Sequence, residues 1–273
     1  MKQRQTIKGS SLMNYYICDT FTNRKKYQKQ LSKIELLLAN LGIGGKLCRL
    51  TVLKNIESLL EEAMEEGAEN IVAVGNDQTV SKVANLIMNK KITLGIIPIG
   101  EGNLLAPALG INSVEEACRI LSARKVKKLD VGQINEQYFL LGLESADDNI
   151  VFNLENYNIN PLPNNEAVGL YNINISNYNF RSNPGDGIME AVFAPKEKTF
   201  WQKLWHKKEE SLPERISVFP IKKMTIKHRK NPVTINIDRQ RTVKSPAEVT
   251  VLKNQLRVIV GKGIKQKSIA IQC

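Results

Sequence analysis

Residues 70–79 read Asn70-Ile71-Val72-Ala73-Val74-Gly75-Asn76-Asp77-Gln78-Thr79, and the fold turns on them. The apolar run through Val74 shows no polar alternation, so it reads as a strand buried on both faces. It breaks at Gly75 and passes into a helix with Val80, Val83, Ala84 and Ile87 on one side. The pattern repeats in Leu94-Gly95-Ile96-Ile97-Pro98, a second buried strand that ends in Gly100-Glu101-Gly102-Asn103. Upstream, Met13–Cys18 and Leu47–Leu53 read as two more strands. The helix between them is capped by Thr22 or Asn23, buries Tyr27, Leu31, Ile34, Leu38 and Leu41, and ends at Gly42, Gly44 and Gly45. A further helix turns Ile56, Leu59, Leu60, Ala63 and Met64 inward and stops at Gly67. This alternation predicts an α/β unit with a mostly parallel sheet.

Ligands of such sheets bind at the carboxyl ends of the strands. Two glycine-bearing turns fall there, Gly75–Thr79 and Gly100–Asn103. Glycine lets a phosphate approach the backbone, and a helix N-terminus favours negative charge. Strand-end turns also use glycine for geometry alone.

From about Leu129 the texture changes. Val126–Ile134, Tyr138–Leu143, Ile150–Leu154, Gly169–Ser176 and Ile188–Phe193 read as strands without long helices between them. Arg215–Phe219, Met224–Lys227, Val233–Ile237, Glu248–Leu252 and Leu256–Val260 continue the series, which predicts a mostly antiparallel β domain. The expected division is 1–129 and 130–273, with the last strands packing back on the first unit. The Asn-rich stretch Asn149–Asn179 reads as turns.

The chain has 273 residues, 42% hydrophobic and 24% charged, which excludes global disorder. No apolar run approaches the ~20 residues that span a bilayer. Met1-Lys2-Gln3-Arg4-Gln5 leads into no apolar signal core, so a cytoplasmic location is expected. Cys18, Cys48, Cys118 and Cys273 are spaced neither for zinc nor for a disulfide framework. The net charge is +12, unevenly placed: residues 1–190 carry 20 Lys/Arg against 21 Asp/Glu, and residues 191–273 carry 19 against 6. The excess suggests an anionic partner for the C-terminal part, or a merely solvated basic surface. Within Pro195–Glu210, a helix would put Phe200, Trp201, Leu204 and Trp205 on one face, with Lys198, Lys203, His206, Lys207 and Lys208 around it. That is the composition of a membrane-interfacial helix, the alternative being a helix packed on its own sheet. The basic run Lys222–Lys230 extends the patch. Gly42-Ile43-Gly44-Gly45-Lys46 lacks the spacing and Ser/Thr of a Walker A motif. His206 and His228 are the only histidines, and neither stands near a Cys or a Ser nucleophile motif, which argues against a catalytic triad or a zinc site.

Several motifs, taken in order, resemble those of the diacylglycerol kinase catalytic-domain family. Val72–Thr79 resembles its GGDGT segment, and Ile96–Ala106 its P-x-G-T-G-N-D-F-A segment, followed by Leu109-Gly110-Ile111. Leu129-Asp130-Val131-Gly132 resembles the strand opening its second domain, and Gly185–Glu190 its D-G-x-L-D segment. Ile237-Asp238-Arg239-Gln240 stands where the family has D-G-E, and Pro246-Ala247-Glu248 through Val258 resembles its closing strands. The resemblance implies a two-domain, ATP-dependent lipid kinase that phosphorylates a lipid hydroxyl, diacylglycerol or a related one, with ATP and Mg²⁺. It implies that Gly75, Asn76, Asp77, Gln78, Thr79, Gly100, Glu101, Gly102 and Asn103 form the nucleotide site of residues 1–129. Asp77, Asp238 and Gln240 fall at catalytic positions, and Asn183, Asp186 and the Ile188 carbonyl at a metal site. Without the resemblance, Asp186 reads as part of a plain turn. The expected partners are a lipid substrate and an anionic membrane surface at the inner membrane face, not nucleic acid.

The sequence also departs from the family. Asn76 and Gln78 replace two glycines, Glu101 replaces a threonine, and Asp19-Thr20-Phe21-Thr22-Asn23 stands in place of an N-P-x-S-G turn. Gln240 replaces the Glu that accepts the proton, and an amide takes up no proton at neutral pH. The segment between Leu143 and Val151 is short where relatives carry a helical insertion. These changes make a catalytically impaired relative, binding nucleotide or lipid, the alternative reading.

Overall fold

The structure, a computed structural model, describes residues 13–51, 55–147, 149–162, 166–175, 180–195 and 216–262. Its first half holds β1 (Asn14–Cys18), α1 (Gln28–Asn40), β2 (Gly45–Arg49), α2 (Ile56–Glu65), β3 (Asn70–Gly75), α3 (Asp77–Ile87), β4 (Thr93–Pro98), α4 (Leu105–Ala108) and α5 (Val114–Ala123). The four strands run parallel in the order β2-β1-β3-β4. Every residue of β3 is buried, as its unalternating sequence requires. α3 packs on β3, α5 on β4 and α2 on β1, and α1 lies against α5.

Three details differ from the sequence reading. Thr22 and Asn23 do not cap α1. They lie in a 3-10 turn, Thr20–Asn23, capped by Asp19, and the Thr22 hydroxyl donates to the Asp19 carbonyl at 2.6 Å. β2 starts at Gly45, because Asn14 pairs with it so closely that a Cβ there would strike the Asn14 carbonyl. α5 was not foreseen. Ser113 caps it, its Oγ accepting from the Glu116 amide at 3.1 Å, while Glu116 accepts from the Asn112 amide at 3.0 Å.

The second half holds β5 (Val126–Ile134), β6 (Gln137–Phe139), β7 (Gly142–Ser145), β8 (Ile150–Asn153), β9 (Asn158–Ile159), β10 (Glu166–Tyr171), β11 (Met189–Pro195), β12 (Ser217–Ile221), β13 (Lys223–His228), β14 (Thr234–Ile237), β15 (Arg241–Lys244) and β16 (Ala247–Ile259). β12-β11-β10-β7-β14-β15 form a six-stranded antiparallel sheet. The other strands extend the parallel sheet to ten, in the order β2-β1-β3-β4-β16-β13-β8-β9, with β5 on β16 and β6 on β5. Phe152, Phe193, Leu170, Ile226 and Ile237 fill the core between the two sheets. The fold is thus α/β, with a mostly parallel N-terminal part and an antiparallel β part.

Here too the boundaries moved for physical reasons. The strand expected over Tyr138–Leu143 splits, since the amides of Leu140, Leu141 and Gly142 turn to the Asp238 carboxylate instead of a ladder. The strand expected over Gly169–Ser176 ends at Tyr171, where the Asn172 side chain takes over, donating to the carbonyls of Asp130 (2.8 Å) and Leu140 (2.9 Å). The two closing strands are one, β16, with a bulge between Leu252 and Leu256 and Asn254 at φ +55°. β16 pairs antiparallel with β5 and β13 and parallel with β4. No helix among the described residues is long and apolar enough to cross a membrane.

Candidate active site

The carboxyl ends of β1, β3 and β4 meet at one place, and side chains rather than open backbone hold it together. Asn76 is the N-cap of α3, and its Oδ1 accepts from the amides of Gln78 (3.2 Å) and Thr79 (3.4 Å). These are the amides a helix N-terminus would offer to a phosphate. The buried Thr79 hydroxyl donates to the Asp19 carboxylate at 2.6 Å, tying β1 to α3. Gly75 is glycine because a Cβ would strike the Thr79 hydroxyl. Gln78 is exposed.

Asp77 is 7% exposed and faces inward. Its carboxylate accepts from the amides of Leu104 (2.6 Å) and Leu105 (3.1 Å), and its own amide donates to the Gly102 carbonyl at 3.0 Å. It therefore braces the Gly100–Asn103 turn against α3. Burial pushes its carboxyl above the usual range, while the two amides pull the other way. Gly100, at φ +80°, lies under the Phe21 ring, whose nearest carbon would be 2.9 Å from a Cβ there. Asn103 donates to the Gly100 carbonyl at 2.7 Å. Glu101 is exposed and adds negative charge to the same rim. ATP therefore fits this cradle poorly: its amides are taken by Asn76, and Asp19 and Glu101 oppose a polyphosphate.

Across from α3 stands the turn between β14 and β15. Asp238, 3% exposed and at φ +50°, is caged by the amides of Leu140, Leu141 and Gly142 at 2.8–3.1 Å. Burial raises its pKa, against those amides. Arg239 forms a two-pronged pair with Glu144 at 2.8 and 2.9 Å. Gln240 lines a cavity of about 210 Å³ with Gln78, Ser81, Lys82, Asn85 and Arg241. The structure thus brings Gln78 and Gln240, read from distant motifs, to one cavity. Neither Asp77 nor Asp238 lines it. Arg241 crosses the base, donating to the Tyr138 carbonyl at 2.7 Å.

The residues expected around a metal lie on the loop before β11. Asp186 is exposed, and its Oδ1 accepts from the Ile188 amide at 3.0 Å. The Asn183 carbonyl is taken by the Gly185 amide at 2.7 Å. Asp130 sets the loop: fully buried, it accepts from the amides of Gly187 (2.6 Å) and Asn254 (2.7 Å). Glu190 has a buried Oε2 without a hydrogen-bond partner, and burial, then the nearby Asp186, push its pKa up to about 8. Oxygen donors of this kind suit a hard cation such as Mg²⁺. No cluster of three or more His, Cys, Asp or Glu side chains converges among the described residues.

Sequence reasoning missed Asp19, Asp130 and Glu190. A polar residue just after a buried strand was the available signal for Asp19. Phe200, Trp201, Leu204 and Trp205 lie outside the described residues.

Comparisons with known proteins bear on the family and the fold. Residues 15–134 match the model of the diacylglycerol kinase catalytic domain. The chain is similar to the diacylglycerol kinase of Bacillus subtilis (strain 168), 28% identical over 123 residues, which are 44% of this chain and 41% of that protein. It is also similar to a YegS-like probable lipid kinase of Enterobacter sp. (strain 638), 30% identical over 92 residues, 32% of this chain and 31% of that protein. The matches span 21% to 41% of the length of these and a further curated relative. Among solved structures, a diacylglycerol kinase from Bacillus anthracis str. Sterne superposes with a TM-score of 0.72 at 17% identity, covering 93% of this chain and 98% of that one. At that identity the likeness shows the fold.

Proposed function

We propose that this chain, whose residues 15–134 match a diacylglycerol kinase catalytic domain, is a lipid kinase-like protein in which phosphoryl transfer from ATP to a lipid hydroxyl is impaired. One observation carries the impairment. The cavity between α3 and the β14–β15 turn is lined by Gln240, which stands where the family pattern has its proton-accepting Glu, while Asp77 and Asp238 are each held by backbone amides and do not line it. Phosphoryl transfer needs a base positioned at the acceptor hydroxyl. Mg²⁺, when bound, would neutralise phosphate charge, and Asp186, with Asn183 and the Ile188 carbonyl, would hold it, Glu190 lying alongside. We place the domain division at 129/130, and the protein in the cytoplasm, peripheral at an anionic inner membrane face with a lipid such as diacylglycerol as ligand.

The test is transfer of labelled phosphate from ATP to diacylglycerol in mixed vesicles with Mg²⁺. Turnover by the unaltered protein is expected to be slow or absent, and Gln240→Glu should raise it by about 10²–10⁴-fold, the usual worth of a general base. Fast turnover indifferent to Gln240→Glu would defeat the reading.

A further inference from the structure

Five of the C-terminal cations fall together on the fold. Along β13, Met224 and Ile226 are buried between the two sheets, so Lys223, Thr225 and Lys227 point the other way, away from that core. Lys223 and Lys227 are exposed, as are Lys222 just before the strand and Arg229 and Lys230 just after it. None of these five cations forms an ion pair with another described residue. In the parallel half, Lys33 pairs with Glu115, Lys46 with Glu62 and Glu66, and Arg124 with Glu69. Five exposed cations thus fall within residues 222–230, on β13 and its two ends.

The two strands beside it, β8 and β16, carry one acid between them, Glu248. Val151 and Asn153 lie opposite Lys227 and Thr225 on β8, and Thr250 lies opposite Lys223 on β16. Glu248 stands opposite Thr225, Asp147 is turned to the Asn149 amide at 2.8 Å, and the exposed Glu155 lies in the turn after β8. Each helix packs on the parallel half, on another helix or on β6. At the margin, next to β8 and β9, Tyr157 and Leu162 are 54% and 64% exposed. A plane of cations edged by an exposed tyrosine and leucine is the composition of a membrane-surface contact.

We propose that the outer face of β13, centred on Lys223 and Lys227, docks on an anionic phospholipid bilayer. The inference rests on the lipid kinase-like reading and gives its membrane contact a location. The complement is charge: the face presents cations to a plane of phosphates. Among the described residues it carries no row of aromatic rings on which bases could stack.

The experiment measures sedimentation with vesicles of one part phosphatidylglycerol to three parts phosphatidylcholine, and with phosphatidylcholine alone. Binding should require the anionic lipid and fade with salt. Lys223→Gln with Lys227→Gln should weaken it about 25-fold, at about fivefold for each neutralised cation. Lys33→Gln with Lys46→Gln, each held in an ion pair on the parallel half, should change it little. Undiminished vesicle binding by the Lys223/Lys227 variant overturns this face but leaves the membrane reading standing. No binding by the unaltered protein at low salt overturns both. Preference for a short DNA or RNA duplex over the vesicles, lost in the same variant, would make the face a nucleic-acid surface and overturn the proposal. Turnover by Gln240→Glu protein on lipid dissolved in detergent tests the kinase reading separately.

Discussion

Asn76 replaces a glycine in the family pattern, and its side chain fills the space that glycine would leave to a ligand. Its Oδ1 satisfies two amides at the start of α3. Glycine at an N-cap costs only a few tenths of a kcal/mol relative to Asn, so the amides can be freed without unfolding α3. Asn76→Gly with Gln78→Gly and Glu101→Thr is expected to tighten ATP binding measured by calorimetry, from a baseline weaker than micromolar. Micromolar or better binding by the unaltered protein would show that the self-capped turn does not exclude polyphosphate. Asp77→Asn should cost about 1–3 kcal/mol of stability, because one of the Leu104 and Leu105 amides loses a carboxylate acceptor. An unchanged denaturation midpoint would contradict the bracing role. The motif positions themselves were legible in the sequence, since glycine and acid mark a strand end. Their partners were not: Asp19 is 60 residues from Thr79, and Asp238 is 98 from Leu140, so only the folded chain joins them.

The buried parallel strands β3 and β4 were legible to within a residue or so, because an unbroken apolar run has few other uses. α5 escaped, although Ser113 and Glu116 form the capping pair that announces a helix. β16 was divided in two, because Lys253-Asn254-Gln255 looks like a turn and is instead a bulge whose amide at Asn254 binds Asp130. Where a local polar signal is consumed by a distant buried partner, pattern alone misplaces the boundary. The helix and strand of the parallel half also bury cysteines whose thiols burial pushes up to about 12 at Cys18 and about 11 at Cys118. Iodoacetamide at mildly alkaline pH should therefore leave both unmodified in the native protein, as peptide mass spectrometry would show. Labelling of Cys118 at the rate of an unfolded control would mean that α5 opens readily from β4.

At the scale of the whole molecule, β16 joins the two parts by pairing with β4 on one side and with β5 and β13 elsewhere along its length. Leu256, 2% exposed, stands in the larger core at that junction. Leu256→Ala should cost about 2–5 kcal/mol. The loss should appear as one transition, with amide exchange in β3 and β13 accelerating together. Loss of protection in β13 while β3 stays protected would show two independently stable units. The same strand has a consequence for synthesis. β4 leaves the ribosome long before residues 247–259, and at about 5–20 residues per second its outer edge waits on the order of ten to thirty seconds for its last neighbour. An unpaired strand edge is a template for other chains. A product terminated before Ala247 would carry that edge indefinitely and should collect in the insoluble fraction.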